Sequence, residues 1–294
     1  MSIKQVIRKI IPLSIRKKKH EYQEKLSDNL LKRKILSYMQ SNDTEDDMKE
    51  VYTFLRNNPL SVFPYEFIKK YKHDNILVYT DKDCGMKYVL HEGKCLYFKT
   101  DWTEEEIQIY YNSLLLEQDT DSPHRYETGN FKVNEGDVVV DLGVAEGNFA
   151  LSVVERAKQL YLFEADKTWI PVLEKTFAPW KDKVVIVNKY VSDRTTDTEV
   201  CLDDYFNGTE INFLKIDVEG AELKALGSKI LSSKKNIKIA VCTYHQQNDT
   251  KKINKILQAN EFYTEFSKGY MIFKYDKDLK EPYLRKGLIR ARKQ

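Results

Sequence analysis

The sequence predicts an α/β protein: a doubly wound, largely parallel sheet that closes with an antiparallel β-hairpin and is preceded by a helical appendage. Three observations carry this. Residues 137–151, DVVVDLGVAEGNFAL, read as a buried strand, a glycine-rich turn and a helix. That is the layout of a nucleotide-cofactor site at the carboxyl edge of a parallel sheet. Further short apolar runs then alternate with helical patterning, giving five strand–helix units whose crossovers are expected to be right-handed. Finally, residues 263–266 and 270–275, separated by Ser267, Lys268 and Gly269, read as a closing hairpin.

Taken in order, residues 1–19 carry Lys4, Arg8, Lys9, Arg16, Lys17, Lys18 and Lys19 and no acid, with Ile3, Val6, Ile7, Ile10 and Ile11 between them at helical spacing until Pro12. Such a segment is either a solubilising arm or a weak contact for an anionic membrane surface. Residues 21–40 and 48–55 predict two helices, the second ended by Asn57, Asn58 and Pro59. Short strands are expected at residues 76–79, 87–90 and 94–98, with Gly85 and Gly93 in the turns. A helix over residues 103–116 follows, with Thr103 as its N-cap and Glu104 to Glu106 in its first turn. In the next loop, His124 and Arg125 either line the cofactor mouth or anchor the loop.

The core then runs as a strand at 138–142, a helix at 148–157, strands at 160–163 and 184–187 around a helix at 169–176, and strands at 211–216 and 238–242, with a helix at 251–259. The organisation expected is a basic arm and helical appendage over residues 1–70 and a main domain over 71–294. That domain divides into a β-meander at 71–120, a Rossmann-like core at 121–276 and a basic C-terminal tail at 277–294.

The chain has 294 residues, 41% hydrophobic and 32% charged, as expected of a globular protein with one large domain and an appendage. Its net charge of +3 excludes any strong argument for nucleic acid. The four cysteines, Cys84, Cys95, Cys201 and Cys242, form no C-x-x-C pair, which fits a reducing, cytoplasmic setting and argues against a disulfide framework. No apolar run approaches a membrane span, and no secretory signal is expected.

The glycine turn fits a dinucleotide fingerprint poorly: counted from Gly143, the second glycine position holds Ala145 and the third Asn148. The pattern acid-x-G-x-(G/A)-x-G, through Asp141, Gly143, Ala145 and Gly147, fits better and resembles motif I of class I S-adenosylmethionine-dependent methyltransferases. The expected closing hairpin agrees, because a dinucleotide dehydrogenase normally ends in a parallel strand. Glu164 ends the second core strand, where an acid accepts from both ribose hydroxyls.

The stretches FLKIDVEGAE (residues 213–222), DLGVAEGNFAL, LFEAD (162–166) and CLDDY (201–205) together resemble the FkbM family of methyltransferases over roughly residues 121–275. The resemblance implies a Rossmann-like class I methyltransferase fold, S-adenosyl-L-methionine as cofactor and O-methylation of a sugar, glycan or glycan precursor. It implies that Asp141, Gly143, Ala145, Gly147, Glu164 and Ala165 belong to the cofactor site, with Ser192 and Asp193 near the adenine. Asp217 and Glu219 would lie where cofactor and acceptor meet. Ala165 departs from the proline that family members often carry there.

An alcohol is a weak nucleophile until its proton leaves, so a base or a metal is expected. His245, beyond the fifth core strand, and Asp217, ending the fourth, are the catalytic candidates. Glu219 and Glu222, expected on one helix face, would join Asp217 if a Mg²⁺ or Ca²⁺ ion were held. The preferred reading has no metal, with both glutamates stabilising a helix N-terminus. Two alternatives stay open: a non-catalytic, cofactor-binding scaffold module and a nicotinamide-dependent oxidoreductase. The basic arm and tail, including Arg285, Lys286, Arg290, Arg292 and Lys293, are expected to hold a cytoplasmic enzyme weakly at the inner membrane face. No nucleic-acid partner is expected.

Overall fold

The computed structural model describes residues 13–42, 46–227 and 236–293. Residues 1–12, which hold part of the basic arm, lie outside that range. Two helices open the chain, α1 (Leu13–Ser41) and α2 (Asp46–Asn57). Ile35 and Met39 of α1 and Val51, Phe54 and Leu55 of α2 are buried in the same apolar cluster as the catalytic core. The appendage therefore packs on the body. Lys274 pairs with Asp28 at 2.7 Å, and the Ile272 amide donates to Val62 O.

A three-stranded antiparallel meander follows, its first strand at residues 79–80 rather than the expected 76–79: β1 (Tyr79–Thr80), β2 (Lys87–His91) and β3 (Lys94–Tyr97). Helix α3 (Glu104–Glu117) starts with a capping box. The Thr103 hydroxyl accepts from the Glu106 amide, and the Glu106 carboxylate accepts from the Thr103 amide.

The main sheet has seven strands: β4 (Val138–Leu142), β5 (Gln159–Phe163), β6 (Val184–Val187), β9 (Phe213–Ile216), β10 (Lys238–Cys242), β11 (Tyr263–Phe266) and β12 (Leu288–Arg292). Their order is β11-β12-β10-β9-β4-β5-β6. Strands β4, β5, β6, β9 and β10 run parallel, while β12 is antiparallel to both of its neighbours. A separate pair, β7 (Tyr190–Ser192) and β8 (Glu199–Cys201), lies beyond β6.

Alternation along the strands supplies two cores. Val139, Leu160, Leu162 and Phe213 face α3, α4 (Asn148–Val153) and α5 (Ile170–Phe177). Val140, Leu142, Leu214, Ile216, Ile239 and Val241 face α6 (Leu202–Tyr205), α7 (Glu222–Ala225) and α8 (Asp249–Ala259).

Three expectations need correction. Helix α4 stops at Val153, short of the expected Ala157. The antiparallel closure is present, but its second strand is β12 rather than residues 270–275, which make only the isolated bridge Met271–Arg285. The C-terminus is therefore no basic tail: β12 sits inside the sheet. Leu288, Ile289 and Ala291 supply apolar side chains to both faces. Arg290 is buried too, because its guanidinium donates to the carbonyls of Arg125 and Tyr126. Arg285 is likewise buried and donates to the carbonyls of Tyr244 and His245, with Asp276 as its ion-pair partner. Among the described residues, no helix is long and apolar enough to cross a membrane.

Candidate active site

The glycine turn is shaped by the strand beside it. At Gly143 the backbone is left-handed, φ +74°, and an added Cβ would sit 1.9 Å from the carbonyl oxygen of Asp217. Only glycine fits between the ends of β4 and β9. Ala145 is also left-handed, φ +49°, a conformation that costs a non-glycine residue roughly 1–2 kcal/mol. Its amide is caught by Glu164: Ala145 N donates to Oε2 at 2.8 Å. The second Glu164 oxygen accepts from Asp166 N at 2.7 Å. Each oxygen thus keeps a lone pair for a ligand.

Two cavities meet at this turn. One, of about 500 Å³, is lined by Phe163, Glu164, Ala165, Trp169, Tyr190 and Val191, among others. Trp169 is held in place by Lys99, whose ammonium lies 4.0 Å from the ring centroid and 3.1 Å from Asp166. The other, of about 730 Å³, reaches from Tyr110 and Glu117 of α3 to Tyr244, His245, Phe273 and Tyr275. Gly143, Ala145, Asp217 and Glu219 line both.

Behind the second cavity stands a network of ionisable groups. Asp217 Oδ2 accepts from Tyr126 OH at 2.7 Å. Burial favours its neutral form, but His124, Lys215 and His245 outweigh that and hold its pKa well below the usual carboxylate range. His245 Nδ1 lies 2.9 Å from Glu222 Oε1, and its Nε2 lies 3.6 Å from Asp217 Oδ1. Burial pulls the imidazole pKa down. The hydrogen bond that the ring donates to Glu222 and the charges of Asp217 and Glu222 reverse that, leaving it raised. Glu222 Oε1 also accepts from the amides of Val218 and Gly220, so one carboxylate shapes the loop after β9 and orients the imidazole.

The Methyltransferase FkbM domain profile matches residues 104–269, more than half of the chain. The chain belongs to the FkbM methyltransferase family. Among solved structures, a methyltransferase FkbM from Methylobacillus flagellatus KT is 16% identical with a TM-score of 0.45, over 64% of this chain and 53% of that one. This chain thus spans about half the length of that relative. A precorrin-6y C5,15-methyltransferase from Geobacter metallireducens GS-15 is 11% identical with a TM-score of 0.40, over 56% and 84%. An S-adenosylmethionine-dependent O-methyltransferase from Thermotoga maritima is 18% identical with a TM-score of 0.35, over 55% and 60%. A search of curated proteins gives no match.

In this FkbM methyltransferase, Gly143, Ala145, Glu164, Ala165 and Asp217 line the cavities. Gly147 supports them from behind, its added Cβ lying 2.8 Å from Phe177. Asp141 lies beneath the turn, outside both cavities. It is buried and paired with Lys215 at 2.8 Å, its neighbour across the β4–β9 register. Lys215 in turn donates to the Gly143 carbonyl at 2.7 Å. Burial opposes its charge, but Asp141 and Asp217 hold its pKa above the ordinary lysine range.

Ser192 and Asp193 do not reach the first cavity, because the chain turns at Val191 into its pairing with Glu199–Cys201; Lys189, Tyr190 and Val191 line the wall instead. Glu219 and Glu222 do not share a helix face: α7 begins at Glu222, and Glu219 sits in the loop before it at φ +50°. The group of ligand atoms that does converge is Asp217, Glu222 and His245, without Glu219. His124 is buried behind Asp217, 3.2 Å from Tyr244 OH, and Arg125 lines a different cavity, so neither forms the mouth.

Sequence reasoning missed Tyr126, Glu117, Glu146 and Tyr110. Glu146 is 2% exposed and accepts from Tyr110 OH at 2.7 Å. Burial pushes its pKa up to about 7, against the lowering effect of that hydrogen bond. A carboxylate inside a glycine turn was the available signal for Glu146; the tyrosines carried none.

Proposed function

We propose that this methyltransferase uses S-adenosyl-L-methionine to methylate a hydroxyl oxygen, on a sugar, glycan or glycan precursor. The observation that carries the reading is the meeting of two cavities at Gly143 and Asp217, one with a ribose-type carboxylate and the other with a histidine between two carboxylates. The first suits an adenosine. Glu164 has lone pairs for two hydroxyls, and Trp169, Tyr190 and Val191 offer flat and apolar walls. When bound there, S-adenosylmethionine supplies an electrophilic methyl group on a sulfonium.

The chain's own residues then have three tasks. The Gly143–Asp217 edge sets where an acceptor oxygen meets the methyl, since positioning is the main contribution a protein makes to such a displacement. His245 takes the hydroxyl proton, and Glu222 stabilises the resulting imidazolium. Asp217, held ionised and fixed by Tyr126, keeps negative charge beside that proton and beside a cationic ligand. The aromatic rings of Phe273 and Tyr275, 5.8 Å apart at the outer wall, suit the apolar faces of a sugar.

Calorimetry with S-adenosylhomocysteine and with NAD tests the cofactor. Binding of NAD alone would favour an oxidoreductase, and binding of S-adenosylhomocysteine without turnover on a panel of glycans would favour a scaffold. We further propose a weak contact with an anionic membrane surface, carried by the seven positive charges of residues 1–19.

A further inference from the structure

Helix α3 ends at Glu117, and the position is electrostatically poor for an acid. The carbonyl end of a helix carries partial negative charge, and no basic residue lies in the last turn of α3. The Glu117 side chain makes no hydrogen bond or ion pair among the described residues, yet it lines the larger cavity. Burial pushes its pKa up and Asp217 pushes it the same way, against the lowering charges of His124, Lys215 and His245. Among the described residues none of those cations bonds the carboxylate, which leaves it available to a cation from outside the chain.

Four of the neighbouring acids are already engaged. Asp141 is paired with Lys215 under the turn. Glu146 holds Tyr110 OH. Asp217 holds Tyr126 OH, and Glu222 faces His245. Glu219 is exposed at the rim. Glu117 is left lining the larger cavity together with Gly143 and Ala145 of the glycine turn, and it does not line the Glu164 cavity. A ligand whose ribose is held at Glu164 and which crosses the turn at Gly143 carries its amino-acid end into this cavity.

We propose that Glu117 binds the ammonium group of the cofactor's amino-acid moiety. The proposal rests on the S-adenosylmethionine reading above. It also accounts for a helix that ends in an acid at the position where an acid is least favoured.

The test compares two probes on the full chain. S-Adenosylhomocysteine has the amino-acid moiety, and 5′-methylthioadenosine shares its adenosine but lacks the ammonium. Calorimetry on the wild type and on Glu117→Gln should show S-adenosylhomocysteine weakened about 10- to 100-fold in the variant, the range for a lost charge-assisted hydrogen bond, while 5′-methylthioadenosine binds as before. Glu117→Asp, which keeps the charge with a shorter reach, should fall between the two. It also serves as the folding control, with thermal melts on both variants. Equal weakening of both probes, or of neither, overturns the assignment while leaving the cofactor reading intact. Unchanged S-adenosylhomocysteine affinity with a raised KM for an amine-bearing acceptor overturns it in favour of the acceptor. A wild type that binds neither probe overturns the cofactor reading itself, and this assignment with it.

Discussion

The imidazole of His245 faces the buried carboxylate of Glu222 across 2.9 Å, on the wall of the larger cavity. The pairing raises the imidazole pKa above 6.5. A histidine acting as base must be neutral, so turnover is expected to rise with pH through that raised value. Glu222→Gln should move this acid limb to lower pH, because the amide no longer stabilises the charged ring. The linked stability has the opposite trend. The pairing stabilises the fold fully below about pH 6.5, the unfolded value, and its contribution fades as pH rises through the folded value. His245→Ala is expected to lower kcat by about 10²- to 10⁴-fold with cofactor affinity nearly unchanged. Pre-steady-state rates and calorimetry check the split, and a fully active variant would make the histidine structural.

Glu164→Ala should weaken S-adenosylhomocysteine by roughly 2–4 kcal/mol, the loss of charge-assisted hydrogen bonds to two hydroxyls. The same carboxylate holds the Ala145 and Asp166 amides. Calorimetry should therefore be paired with a thermal melt, and Glu164→Gln should retain more of the fold than of the affinity. Wild-type affinity in either variant removes Glu164 from the site.

Gly143→Ala would put a methyl 1.9 Å from a backbone oxygen at φ +74°. The ends of β4 and β9 are held together by their parallel pairing, so a destabilisation of at least about 2 kcal/mol is expected. Chemical denaturation measures it; a variant as stable as the wild type would mean that β4 and β9 separate more easily than their register suggests.

Added chelator is expected to leave turnover unchanged. Asp217, Glu222 and His245 bring ligand atoms within 4.8 Å of one another, but the histidine and Glu222 already pair. Activity lost to chelator and restored by Mg²⁺ would replace the histidine-base reading with a metal-assisted one.

Membrane contact should depend on the start of the chain alone. Vesicles containing anionic lipid should co-sediment with the full chain at low salt and less with a chain lacking residues 1–19; neutral vesicles should not. Arg290→Met should leave vesicle binding unchanged and cost about 3 kcal/mol of stability, because the carbonyls of Arg125 and Tyr126 lose a buried donor. Equal vesicle binding by the full and shortened chains rejects the contact.

The amino-acid sequence by itself determined the parts of this protein that depend on neighbouring residues. The apolar run Val138–Leu142 with its glycine turn, the acids ending β5 and β9, and the Thr103 cap are local patterns, and each is where the sequence puts it. The candidate pair His245 and Asp217 was legible for the same reason, since Asp217 follows β9 and His245 lies just beyond β10 at one sheet edge. Tertiary structure decided what depends on residues far apart in the chain. Residues 285–292 read as part of a basic tail until Arg290 finds the carbonyls of residues 125–126 and Arg285 those of residues 244–245, which lets a charged segment carry an interior strand. Asp141 reads as a ligand residue until Lys215 meets it across the register and neutralises it under the turn. Glu117, Tyr126 and Glu222 reach the site from three separate segments, and no periodicity records which segments meet. Buried charge is stable only when a partner is found, and in this protein the partners come from distant parts of the chain.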